Sequence, residues 1–160
     1  MKRLFFTFFI SIALLSCSSD DSNDDGNGNG NDGISNDPLS GILYGEEFIV
    51  DGARADLREV FGENMLVIQL SNEGFGCEKG EFSGAFPISI TAPNAEGYYE
   101  SGIYTSFNDP NSDDFLSVSS GFDLEVISLT ADAVEFKIKV ESGTTNNNIN
   151  GKYTATICSE

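Results

Sequence analysis

The sequence predicts an all-β protein: an antiparallel β-sandwich of about seven to nine short strands, with a small up-and-down or lipocalin-like barrel as the alternative. Three observations carry this. Apolar and polar residues alternate over 122–126, 134–141 and 153–157, the period of a strand with one face buried and one in water. Turn-forming groups recur between the apolar runs: Asp51-Gly52, Gly62-Glu63-Asn64, Pro93-Asn94, Asp109-Pro110-Asn111 and Asn146-Asn147-Asn148. No segment sustains the 3.6-residue helical period over about twelve residues.

Taken in order, the chain opens with Lys2 and Arg3 and continues with a twelve-residue apolar stretch, 4–15, interrupted only by Thr7 and Ser11. As a helix it would rise about 18 Å, short of a ~30 Å hydrocarbon core. It has the shape of a secretory leader. Its end, Leu14-Leu15-Ser16-Cys17, resembles the lipobox of bacterial lipoproteins. That resemblance implies cleavage after Ser16 and acylation of Cys17. Two or more acyl chains anchor stably where one does not, at ~0.8 kcal/mol per buried CH₂. Residues 1–16 are thus expected to be a lipoprotein signal peptide, and a lipid bilayer is the first expected partner.

Residues 17–38 follow as the lipidated cysteine and a flexible acidic linker of Asn, Asp, Gly and Ser, with Ile34 the one large apolar residue before Pro38. Such a tract buries too little to offset ordering costs of ~1–2 kcal/mol per residue. Twenty such residues span roughly 25 Å as a coil. Ser18-Ser19-Asp20-Asp21 resembles the acidic export tag of Bacteroidota lipoproteins, which implies the outer face of the outer membrane; the periplasmic face is the alternative. A calcium-loop opening, Asp21-Ser22-Asn23-Asp24-Asp25-Gly26, is present. It lacks the aliphatic eighth residue and flanking helices of a working loop, and reads as composition.

Residues 39–160 supply one domain, enough for a single core. Strands are expected at 42–44, 48–50, 65–70, 82–90, 103–105, 122–126, 134–141 and 153–157. Ala131-Asp132 should turn the 122–126 and 134–141 runs into a hairpin. Residues 53–60 read either as a short strand or as a helical turn. The layout resembles small uncharacterised lipoproteins of flavobacteria and their relatives, which pair a lipobox and acidic leash with one β domain. The matching residues are Gly41-Ile42-Leu43-Tyr44-Gly45, Gly102-Ile103-Tyr104 and Ile149-Asn150-Gly151-Lys152-Tyr153. The resemblance implies no catalytic residue.

Composition narrows the chemistry. Eight Lys+Arg stand against 26 Asp+Glu, a net charge of −18. Loss of Lys2 and Arg3 would take it to −20. Such a chain repels nucleic acid and anionic lipid faces and favours cationic partners. There is no histidine, which excludes Ser-His-Asp and Cys-His catalysis and histidine-ligated metals. Cys77 and Cys158 are the thiols left after lipidation and are expected to pair in an exported protein. A closed loop of about 80 residues contributes roughly 4–4.5 kcal/mol on the chain-entropy account.

Carboxylates remain. Asp109, Asn111, Asp113 and Asp114 offer the hard oxygens calcium takes, but no Gly follows the loop opening and Ser120 holds the twelfth place, so a solvated turn joining two strands is the favoured reading and calcium the alternative. A hydrolase would need two acids across a cleft. Tyr98, Tyr99 and Phe107 are candidate contacts for a protein or glycan partner. Adjacent strand residues face opposite sides, so one of the two tyrosines should be outside. The chain reads as a non-enzymatic binding or interaction module of the outer membrane. A lipocalin-like small-ligand carrier and a carboxylate-dependent hydrolase are the alternatives.

Overall fold

The computed structural model of this protein describes residues 33–80, 86–109, 115–118, 122–142 and 146–159, with 115–118 described by backbone alone. These residues form strands and turns, with no helix among them. In chain order the strands are β1 (Ser40–Leu43), β2 (Glu46–Ile49), β3 (Gly52–Val60), β4 (Glu63–Ser71), β5 (Ile88–Pro93) and β6 (Gly97–Tyr99). Then come β7 (Tyr104–Asn108), β8 (Phe115–Val118), β9 (Phe122–Leu129), β10 (Ala133–Glu141) and β11 (Asn148–Ile157). Residues 53–60 are strand, which decides the segment the sequence left open.

All strands belong to one sheet, ordered β6-β9-β10-β11-β3-β4-β5-β7-β8. The exception to this path is the β1–β2 hairpin, which attaches through β1 to β11. One edge of β11 is therefore shared. Asn148, Ile149 and Asn150 pair antiparallel with β1, and Thr156 and Ile157 pair parallel with Arg54 and Ala55 of β3. This mixed sheet curls into half a barrel. The all-β expectation thus holds in its small-barrel form. The sandwich of two facing sheets is not formed, because β11 joins the two halves through its backbone. The barrel is not up-and-down either, since β3 and β11 are parallel.

Alternation sets the inside. On β10, Val134, Phe136, Ile138 and Val140 are buried, and the residues between them are half-buried. Leu124 and Val126 of β9, Leu66, Ile68 and Leu70 of β4, and Ile88 and Ile90 of β5 complete one core. The interior is filled by Phe86, Phe107, Phe136, Leu39 and Ile103, all under 2 or at 2 % exposed. Each such side chain contributes about 1.5–3 kcal/mol on burial. Close backbone approach requires glycine at Gly41, Gly52 and Gly151. A Cβ on Gly41 would collide with the backbone of Asn148 and Ile149 across the β1–β11 ladder.

The outer face of β3 carries a buried ion pair. Arg54 donates to both Asp56 carboxylate oxygens, from Nε at 3.1 Å and Nη2 at 2.8 Å. Arg54 Nη1 also donates to the Lys79 carbonyl, which ties the loop after β4 to this face. Removing one partner of such a pair leaves a buried charge and costs about 3–5 kcal/mol.

Ordered contacts begin before Leu39. Ile34 is buried, the Ser35 N–H donates to Asn150 Oδ1 at 2.8 Å, and Asn150 Nδ2 donates to the Gly33 carbonyl at 3.1 Å. Pro38 bridges to Lys152 in parallel. Residues 33–38, read by composition as linker, dock on β11 because Ile34 has a core to enter.

Candidate interaction surface

Two hairpins share one unusual turn. Leu43 pairs with Glu46 and Val60 with Glu63, so each loop has two residues: Tyr44-Gly45 and Phe61-Gly62. All four have positive φ: 51° and 88° in the first turn, 54° and 83° in the second. This is the type I′ pattern, which matches the strand twist and favours Asn-Gly. A bulky side chain in left-handed conformation costs about 1–2 kcal/mol.

The two aromatics are repaid differently. Tyr44 packs against the core, and its hydroxyl donates to the Phe107 carbonyl at 3.0 Å. Its own N–H donates to Asn147 Oδ1 at 2.6 Å. The hairpin β1–β2 is thereby latched to β7 and to the start of β11. Phe61 has no such return. It is 91 % exposed, and its one ring contact among the described residues is an edge-on approach to Tyr104, 6.4 Å between centroids at 60°. Tyr104 is itself exposed, on the outer face of β7. Exposed Glu59 and Glu63 flank the tip, and neither forms an ion pair among the described residues.

The tip lies far from Gly33, the first described residue. Asn150, which holds Gly33, precedes the β3 contact at Thr156 on a strand parallel to β3. Phe61 lies beyond that contact in the opposite direction. Along the strands the separation is roughly 40 Å at ~3.3 Å per residue. Near the Gly33 end, Lys137, Lys139 and Lys152 share the outer face of β10 and β11. They pair with Glu125 at 3.5 Å, Glu141 at 3.4 Å and Glu135 at 2.5 Å, respectively.

The residues singled out from sequence fall as follows. Tyr98 is 38 % exposed on β6 and donates to Asp123 Oδ1 at 2.9 Å. Desolvation and that hydrogen bond push its phenol up to about 12. Tyr99 leans on the core and donates to the Ala95 carbonyl at 2.9 Å. One of the pair is outside, as alternation requires. Phe107 is fully buried, so it is a core residue and no surface contact. Asp109 is half-buried just after β7; Asn111, Asp113 and Asp114 lie outside the described residues, as does Cys17. Cys77 and Cys158 form a disulfide, 2.01 Å between sulfurs, closing a sequence separation of 81.

Phe61 and Tyr104 were not singled out as contacts. A signal for Phe61 exists: Tyr44-Gly45-Glu46 and Phe61-Gly62-Glu63 repeat an aromatic-Gly-Glu pattern between strand runs. Sequence cannot say which of the two rings finds a core. In comparisons with known protein families, curated proteins and solved structures, nothing matches this chain.

Proposed function

We propose that this protein is a lipid-anchored outer-membrane protein that serves as a non-enzymatic interaction module. Acylated Cys17 holds it to the bilayer, the acidic leash gives reach, and the domain offers the β3–β4 end, opposite the end that carries Gly33, to a partner. The observation that carries this reading is the polarity of the domain. Gly33, where the leash enters, and Phe61, its most exposed aromatic, lie at opposite ends of the strands. The domain carries a cleft of about 370 Å³ along 139–142 and 146–150, but it is open and lined largely by polar residues such as Lys139, Glu141, Asn146 and Asn148, which favours a surface role over a carrier that encloses an apolar ligand.

Metabolic labelling with palmitate tests the anchor. The expected result is labelled protein in the membrane fraction, and unlabelled, soluble protein for Cys17→Ser. Protease added to intact cells should then remove the domain if it is displayed on the surface. Equal membrane association of the wild type and Cys17→Ser would overturn the reading.

A further inference from the structure

Phe61 occupies a backbone conformation that asparagine or glycine would fill at lower cost, and buries almost nothing there. Tyr44 shows what an aromatic in the same turn gains when it serves the fold. Strain at an exposed position with no internal return points to a contact made elsewhere. We infer that the Phe61–Tyr104 wedge docks into an apolar pocket of a basic protein, with Glu59 and Glu63 meeting Lys or Arg on the pocket rim. This deepens, and rests on, the interaction-module reading.

Three features select that partner class. Phe61 and Tyr104 meet at 60° and so form a protruding wedge, where sugar stacking calls for a flat open ring face. A protruding aromatic ringed by polar groups has the anatomy of a protein–protein anchor. The flanking carboxylates form no ion pair among the described residues, while Lys137, Lys139 and Lys152 sit at the other end of the sheet and are already paired. A bilayer with anionic headgroups would repel this tip, and a second copy of the chain would set Glu59 and Glu63 against their own kind.

The test uses the full chain in intact cells, with photoreactive benzoylphenylalanine in place of Phe61. Ile49 serves as the control position, 54 % exposed and close to Glu46 and Glu47. The expected result is a covalent adduct to one basic polypeptide from position 61, at least tenfold above position 49. Glu59→Lys with Glu63→Lys should cut it about tenfold. With the photoprobe moved to Tyr104, Phe61→Asn should cut the adduct about 30-fold, the loss of a central aromatic anchor. The same substitution should raise the melting temperature by ~2–5 °C, since asparagine suits the turn.

An adduct to lipid, glycan, a second copy or an acidic polypeptide overturns the inference, as does indifference to the charge reversals. No adduct above the control also overturns it, and so does a lower melting temperature for Phe61→Asn. These outcomes leave the anchored-module reading to stand or fall on palmitate and Cys17→Ser.

Discussion

Tyr98 and Tyr99 are neighbours in sequence and opposite in circumstance. Alternation along β6 foretold that one faces out, but the partner that matters, Asp123, comes from β9, the strand paired with β6. Desolvation, then the hydrogen bond to Asp123, favour the neutral phenol in the folded chain. Its contribution to stability is therefore whole below the ordinary phenol value of about 10 and is lost as pH rises toward about 12. Ultraviolet titration of the tyrosines should show Tyr98 still protonated at pH 11, and Asp123→Asn should bring its ionisation down toward the other exposed rings. An unchanged curve for Asp123→Asn would detach the shift from that carboxylate. Phe61 illustrates what single-residue reading misses. Its glycine neighbour marks a turn, yet positive φ at an aromatic is invisible until the hairpin register is known.

Among the elements, the regular alternators were legible. β10 follows the expected 134–141 run almost residue for residue, and the β9–β10 hairpin turns at Ala131-Asp132. β3 was ambiguous because its outer face carries Arg54, Asp56 and Arg58, and buried charges imitate solvent exposure in a sequence. β6 escaped notice as three residues inside a turn-rich stretch, and β8 sits among the polar residues of 108–120. The disulfide was foreseen from thiol count, whereas its setting was not. Cys158 N–H donates to the Ala55 carbonyl, so the bridge ties the 72–79 loop to the strand pair β3 and β11. Replacing both cysteines with serine should cost up to about 4.5 kcal/mol by the chain-entropy account, a melting point lower by ~10 °C or more. Reversible urea unfolding measures it. A loss below about 1 kcal/mol would show that strand pairing and the Arg54–Asp56–Lys79 contacts hold the loop unaided.

For the whole molecule, alternation and the recurring turn groups foretold the class, and alternation foretold which residues face the core. Neither reveals which strands become neighbours, because period two marks faces and not partners. The parallel β3–β11 pairing is the consequence of that gap. It unites what could have been two sheets, and it made a sandwich the natural expectation. The distribution of charge was equally hidden: a sequence with net charge −18 gives no hint that three of its lysines gather on one face.

Chain order gives the position of β11 a further meaning. β1 and β3 are made early, yet their common neighbour β11 is the last of the described strands to appear. Pairing across such sequence separation carries a large loop-closure cost and is slow. A polypeptide threaded N-terminus first through a narrow channel would thus lack the closed sheet until β11 had passed. Truncation before Asn148 should give circular dichroism without a cooperative melt, while the full chain melts in one transition. Topology itself would then act as the timer, delaying closure of the sheet until β11 has crossed.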